Sequence, residues 1–330
     1  MTQIADIMPA GEAAYERAAS LLQAGELVAL PTETVYGLAA LASDDTAVCR
    51  IYEAKGRPSH NPLIAHVFDP KCADMFADIP PLAQTLIDAF WPGPLTLVLP
   101  KKKTANISQI AGANLDTIAI RCPVAPWSKA FSNLGFHGPI VMPSANLSGH
   151  VSPTTAQHVF DDLGGKIKLI IDGGPCKDGL ESTVLAIDGD RVTLLRPGVV
   201  GAEALAPYIS ELYAPSCQAQ PIAPGMLESH YAPRAALRLN AENKTSEEAY
   251  LGFGVSDVIC DMNLSERGDL GEASQNLYAC LRALDKSNVM SIAIAPVPKE
   301  GLGVALNDRL KRAAAPKTKV KDKKHDDERY

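Results

Sequence analysis

Apolar runs only a few residues long, interleaved with helical patterns, are what most restricts the fold of this chain. LVAL at 27–30, PLIAHV at 62–67, LTLVL at 95–99, TIAIR at 117–121 and PIVMPSAN at 139–146 belong to the series. KLIIDGG at 168–174, STVLAI at 182–187 and VTLLRPG at 192–198 continue it. Such runs suit buried strands, being too short for helices and rich in branched residues. Between them 44–54, 81–90, 126–134 and 154–163 carry helical spacing, as does alanine-rich 11–24, which Gly25 is placed to end. The interleaving predicts an α/β domain. Its spacing is irregular, and short turns such as Asp188-Gly189-Asp190 join some runs. The expected sheet is therefore mixed and twisted, not doubly wound and parallel.

The texture changes at 207–236, where APYISELYAPSCQAQPIAPGMLESHYAP is proline-rich and without period, and reads as a linker. Met226, His230 and Tyr231 give it enough apolar surface to pack on something. A smaller α/β pattern fills 237–315: EEAYLGFG, VICDMNL, a helix at 272–285, VMSIAIAPV and a helix at 303–314. It reads as a small Rossmann-like sheet that lacks the glycine fingerprint of dinucleotide binding. Residues 316–330 are almost devoid of apolar side chains and are expected to be disordered. The division is thus 1–206, 207–236, 237–315 and 316–330.

With 330 residues the chain is long enough for two cores, and its net charge of -7 argues against broad adhesion to nucleic acid. Seven cysteines are scattered without a CxxC pair, which disfavours a disulfide scaffold or structural zinc and fits a reducing cytosol. No signal pattern is visible, and no apolar run approaches the ~20 residues that span a bilayer. A cytoplasmic protein with no membrane partner is expected.

Glycine-rich phosphate loops of the GxxxxGK[ST] kind are absent. The richest stretch is instead the turn Pro31-Thr32-Glu33-Thr34-Val35-Tyr36-Gly37, then Lys55 and Arg57 about Gly56, then Asn61 and His66. Cations spaced by glycine, with hydroxyls and an imidazole nearby, suit a polyanion such as a nucleoside triphosphate. Thr117 and Arg121, four apart on one strand, share a face and suggest a pocket wall. Pro143-Ser144-Ala145-Asn146-Leu147-Ser148-Gly149 with Ser152, then Asp178-Gly179-Leu180-Glu181-Ser182-Thr183, then Arg196-Pro197-Gly198, stand at strand ends, where α/β proteins place ligand groups. Each has a plainer reading when taken alone. Arg121 suits a paired structural arginine, His66 a core histidine, and the Thr32/Thr34 turn and SAN segment local capping.

In this order and spacing, PTETVYGL, KGRP with NPL and His66, TIAIR, PSANLSG with SPT, EST and LRPG resemble the YrdC-type L-threonylcarbamoyladenylate synthases over roughly residues 10 to 200. PGMLESHYAP and the small domain resemble the longer, two-domain form of that family. The resemblance implies condensation of L-threonine, bicarbonate and ATP, with Mg2+, into threonylcarbamoyl-AMP and pyrophosphate. Separate transferase machinery then modifies tRNAs reading codons that start with A, so tRNA is met only indirectly. Lys55, Arg57, Asn61, Thr117, Ser144, Ser152, Arg196 and Tyr231 are implied at ATP, with Lys55 and Arg57 positioning its phosphates. Thr34, His66, Arg121 and Ser182 are implied at threonine, and the linker is implied to fold over the pocket. The resemblance assigns no general base and no metal ligand. An RNA-binding module and a carbamoyltransferase are the competing expectations. The acidic charge, with no aromatic-basic interleaving, disfavours the first, and the lack of CxxC repeats and of extra length disfavours the second.

Overall fold

The computed structural model describes residues 4–136, 138–215, 222–224, 230–287 and 289–316. Its main element is an 11-stranded sheet. In spatial order the strands are Asp6–Pro9, Leu169–Asp172, Val28–Leu30, Gly37–Leu41, Ile140–Val141, Ile64–His66, Thr117–Arg121, Leu95–Pro100, Thr183–Asp188, Arg191–Arg196 and Leu212–Tyr213. Val28–Leu30 and Gly37–Leu41 pair antiparallel, whereas Ile64–His66 and Thr117–Arg121 pair parallel, so the sheet is mixed as expected. Successive residues serve opposite faces. Ala29, Leu38 and Ala40 pack with Ile51, Leu86 and Leu97 in one core, while Val28, Leu30 and Ala39 pack with Trp127, Phe131 and Ile171 in another. Burial on both faces explains why these strands read as continuous apolar runs.

Three strands escape the sequence pattern. GLAAL at Gly37–Leu41 is alanine-rich and has no β-branched residue, yet both its neighbours pair with it. Tertiary pairing overrides its weak propensity. DIMP at Asp6–Pro9 is a largely exposed edge strand, and Leu212–Tyr213 extends the sheet from within the segment read as linker. Met226 and residues 317–330 of the 316–330 tail read as disordered lie outside the described residues.

Ala236–Arg238, Ser291–Ile294, Glu248–Gly252 and Met262–Asn263 form a second, four-stranded sheet in which every pair is parallel. With the helices Leu270–Lys286 and Leu302–Ala314 it makes the small Rossmann-like unit. It docks on the first domain through a shared core, where Val35, Val151 and Leu180 meet Leu277, Tyr278 and Leu306. Polar contacts orient the docking. Ser274 Oγ donates to the Asp178 carbonyl at 2.9 Å, and Arg282 pairs with Asp162 at 2.8 Å. Gly179 permits this approach, since a Cβ there would stand 2.3 Å from the Ser274 carbonyl oxygen. No helix among the described residues is long and apolar enough to cross a membrane.

Candidate active site

One end of the large sheet gathers most of the polar motifs. Ile64–His66 and Thr117–Arg121 run in register, His66 beside Arg121, and both end there. Thr183–Asp188 starts there and its antiparallel partner ends there at Arg196. Main-chain bonds tie the loops together. Leu38 donates to the Pro143 carbonyl at 2.7 Å, Ala145 to Tyr36 at 2.8 Å, and Tyr36 to Pro153 at 2.9 Å. The PTETVYG, PSAN and SPT segments, remote in sequence, are thereby one surface. Thr34, Arg57, His66, Arg121, Ser144, Glu181, Ser182, Arg196, Pro224, His230 and Tyr231 line a cavity there of about 50 Å³. Small-molecule sites usually measure about 300–1,000 Å³. With Pro224, His230 and Tyr231 in its wall, the cavity as it stands is therefore smaller than a nucleotide site.

The cations are buried and crowded. Asp44 caps the Asp45–Lys55 helix by accepting from the amides of Thr46 and Ala47, and Gly56 ends it in the left-handed region at φ 59. That turn throws Lys55 and Arg57 into the interior. Arg57 donates to the carbonyls of Asn61 and Pro62 at 3.3 and 3.0 Å. Burial, with Arg196 close by, pulls its guanidinium down to about 10, so it stays charged at neutral pH. Burial and Arg57 together hold the Lys55 ammonium well below the ordinary lysine value. Arg196 grips Ser182, with Nη2 2.9 Å from its carbonyl and 3.0 Å from its hydroxyl. The Ser182 hydroxyl also meets Thr96 at 2.8 Å.

At the other flank Arg121 is largely engaged. Nη1 donates to Thr34 Oγ1 at 3.0 Å and Nε to the Gly93 carbonyl at 3.2 Å. Nη2 lies 2.8 Å from Glu33 Oε1 but forms no aligned hydrogen bond. The paired-arginine reading thus holds in part, although Arg121 still lines the cavity. His66 Nδ1 lies 3.1 Å from the Ile64 carbonyl. A carbonyl only accepts, so Nδ1 carries the proton and Nε2 is left as an acceptor. Burial, reinforced by Arg121, drives this imidazole down to about 3 and keeps it neutral.

The remaining residues singled out from sequence fall in three ways. Lys55 does not line the cavity; its ammonium donates to the Ser144 and Asn146 carbonyls, both at 2.5 Å, and fastens the PSAN loop from behind. Ser152 is buried one step further out, donating to Glu181 Oε1 at 2.6 Å, and Asn61 supports Arg57 through its carbonyl. Thr117 stands apart. It pairs with Pro100 at the far end of its strand, about 13 Å from Arg121 at ~3.3 Å per residue. Alternation correctly puts both on one face, but the cavity lies at one end of the strand only. Glu181, Pro224 and His230 in the cavity wall, and Glu33 against Arg121, stand within segments that sequence reasoning quoted but were given no site role there. Glu181 and His230 are adjacent to residues it chose, which was the available signal.

Among the described residues the buried side-chain atoms without a hydrogen-bond partner are Glu33 Oε2, Asn61 Oδ1, Arg121 Nη2, Asn146 Oδ1, His230 Nδ1, Tyr231 OH and Arg309 Nη2. Each belongs to a residue in the cavity wall or packed behind it. Buried polar atoms are normally paired, so their concentration here marks a site built for a polar ligand. No dedicated metal cage accompanies them. Both Glu181 oxygens are taken by protein donors, Glu33 Oε1 lies 2.8 Å from Arg121 Nη2, and no cluster of three or more ligating side chains exists among the described residues.

The neutral histidines predict acid sensitivity. His66 and His230 take no proton until about pH 3, the second because burial outweighs Glu181 and is aided by Arg57, Lys55 and Arg196. Unfolded histidine takes one near 6.5. The unfolded chain then binds more protons, so stability is complete above about 6.5 and is lost as pH falls toward 3, by about 1.4 kcal/mol per pH unit per proton. Asp178 opposes this, because burial beside Glu33 raises it to about 6 and the fold retains its proton there. Tm should begin to fall near pH 6. A Tm that stays level down to about pH 4.5 would contradict the neutral, buried imidazoles.

Residues 20–198 match the Sua5/YciO/YrdC family model, described as telomere recombination, and residues 200–315 match the model for the C-terminal domain of threonylcarbamoyl-AMP synthase. The threonylcarbamoyl-AMP synthase of Bacillus subtilis is 40% identical over 94% of this chain and 96% of its own. That of Pyrococcus abyssi is 40% identical over 90% of this chain and 93% of its own. The crystal structure of Pyrococcus abyssi Sua5 complexed with L-threonine superposes with a TM-score of 0.85 at 36% identity, covering 95% and 98% of the two chains.

Proposed function

The chain belongs to the Sua5/YrdC family of threonylcarbamoyl-AMP synthases in its two-domain form, and on that premise we propose that it condenses L-threonine, bicarbonate and ATP into threonylcarbamoyl-AMP and pyrophosphate. The observation that carries this reading is the wall of buried cations and unpartnered polar atoms. Arg57 and Arg196 line the cavity with Lys55 behind, and the carboxylate among the described residues of its wall, Glu181, is already held by Arg309. A surplus of buried positive charge calls for an anion, and a triphosphate supplies one.

In this reading the phosphates lie against Arg57 and Arg196, on the loop that Lys55 fastens, and magnesium arrives with ATP as part of that substrate. Threonine lies at the other flank. Its carboxylate meets Arg121 Nη2, and its hydroxyl or amine meets the acceptor Nε2 of His66, Thr34 Oγ1 and Ser182 Oγ. The amine captures bicarbonate as a carbamate with loss of water. A carbamate oxygen attacks the α-phosphorus, and pyrophosphate leaves with the electrons of the broken bond. Nothing here needs a protein nucleophile. It needs two weak reactants held in line, charge neutralised, and water kept away. Withdrawal and return of Pro224, His230 and Tyr231 would admit the substrates and then exclude water from a carbamate that hydrolyses readily. The product is an activated mixed anhydride. Its consumer is a transferase that acylates adenosine in tRNAs reading codons that start with A, so tRNA need not touch this chain.

The test is pyrophosphate release from ATP with threonine and bicarbonate each present or omitted, with the adenylate identified by mass. Release that needs both, with a threonylcarbamoyl-AMP mass, is expected; release indifferent to threonine would overturn the reading. Gly198→Ala should be a sensitive variant. A Cβ there would come within 2.5 Å of backbone atoms at Glu181, Ser182 and Thr183, none of which can yield alone. Spreading this corner moves Ser182 and Arg196 together, at about 1–3 kcal/mol of overpacking. We expect a fall of at least about tenfold in kcat/KM, and unchanged kinetics would show that the corner tolerates expansion.

A further inference from the structure

The small domain reaches the site at a buried carboxylate. Glu181 lines the cavity and immediately precedes Ser182. Its Oε1 accepts from Ser152 Oγ at 2.6 Å, within the first domain. Its Oε2 accepts from Tyr278 OH and from Arg309 Nε, both at 2.8 Å, and both belong to the small domain. Arg309 is 1% exposed, on the Leu302–Ala314 helix. Asp308 orients it by accepting from Nη1 at 2.7 Å. Its guanidinium carbon also stands 5.1 Å above the ring of Tyr231, which stacks on Tyr278 at 5.8 Å. One guanidinium therefore touches both the carboxylate beside Ser182 and the aromatic ring that closes the cavity.

We propose that Arg309 is a positioning residue for the synthase site, fixing the Glu181–Ser182 strand entry and the closed position of Tyr231 from the small domain. The inference rests on the function proposed above. Docking by itself does not require this pair. The interface already has an apolar core of Val35, Val151 and Leu180 against Leu277, Tyr278 and Leu306. Apolar replacement of buried ion pairs is often neutral or stabilising. What the pair and the tyrosine add is direction, since three donors from three segments leave the carboxylate a single orientation. Ser182 inherits that orientation through the shared backbone, and through Ser182 so do Thr96 and Arg196. The small domain is in this sense part of the site's construction.

The variants Arg309→Lys and Tyr278→Phe test this in the full chain. Lysine keeps the buried charge but cannot bond Glu181 and Asp308 in a fork. Phenylalanine removes only the hydroxyl donor to Glu181. If the pair merely balances charge, Arg309→Lys should retain wild-type kinetics. If it positions, Arg309→Lys should lower kcat/KM for threonine by about 10- to 100-fold and Tyr278→Phe by about 3- to 10-fold. In both, amide exchange at 181–183 and at Tyr231 should rise, with Tm changed by only a few degrees. Wild-type kcat/KM with unchanged exchange at 181–183 in the two variants would overturn the proposal. Should Arg309→Lys fail to fold, Tyr278→Phe decides by the same two readouts. Should wild type show no threonine-dependent pyrophosphate release, the functional reading fails, and amide exchange alone still tests the positioning.

Discussion

Arg57→Ala should lower threonine-dependent pyrophosphate release by about 30- to 1,000-fold, the equivalent of about 2–4 kcal/mol of transition-state stabilisation. Arg57 lines the cavity and is held there by the carbonyls of Asn61 and Pro62, so its charge is aimed before any ligand arrives. Even depressed to about 10 it is fully protonated at neutral pH, and no reorganisation is needed when the triphosphate binds. Removing it leaves Arg196 as the chief cation at that wall, with Lys55 occupied by the Ser144 and Asn146 carbonyls. The loss should appear in KM for ATP and in kcat, because charge on the phosphates grows as pyrophosphate departs. KM for threonine should move far less. Arg57→Lys should recover part of the loss, since it restores a charge without the fork. An unchanged rate in Arg57→Ala would move the phosphate site elsewhere on the cavity wall.

Trp127→Ala should be the most destabilising of the substitutions considered, at about 3–5 kcal/mol. The indole is fully buried, with Phe68 set edge-on at 5.8 Å and Phe131 at 5.4 Å. Its Nε1 donates to the Pro31 carbonyl at 2.7 Å, at the first residue of the PTETVYG turn. Alanine therefore opens a cavity in one of the two cores and also orphans a buried carbonyl, which adds about 1–3 kcal/mol. Against a total stability of about 5–15 kcal/mol this is a large share, and a fall in Tm of about 10 °C is expected. Pro31 sits three residues before Thr34, so KM for threonine should rise as well. Trp127→Phe separates the two effects, because it keeps most of the ring packing and loses only the donor. It should show a smaller fall in Tm with a comparable rise in KM. A Trp127→Ala protein that melts like wild type would refute the anchoring of the turn through this indole.

Much of the fold was legible locally. The helix read at 81–90 is found as Pro81–Phe90, and the one read at 126–134 as Pro126–Asn133, because apolar spacing, proline at the first turn and a breaker after the last are all short-range signals. GLAAL was illegible for the same reason, since it becomes a strand only by lying between Val28–Leu30 and Ile140–Val141. The site divides similarly. Thr34, His66, Arg121, Ser144, Ser182 and Arg196 were identified through their motifs and do meet at one cavity. Thr117 shares a face with Arg121 but not its end of the strand, a distinction that period-two alternation cannot make. Lys55 was read as facing the ligand, whereas it faces two carbonyls that lie some ninety residues away.

By itself, then, the sequence determined the α/β class, the two-domain division and the family, because residue type, short-range period and motif order are properties of the chain. Only the tertiary structure decided which polar groups face one another. Glu181 and Arg309 are 128 residues apart, and Arg121 and Thr34 are 87 apart. At such separations pairing is dictated by how sheet order and domain docking bury the groups. An unpaired buried charge is too costly to leave, so the fold selects partners that no local pattern can announce.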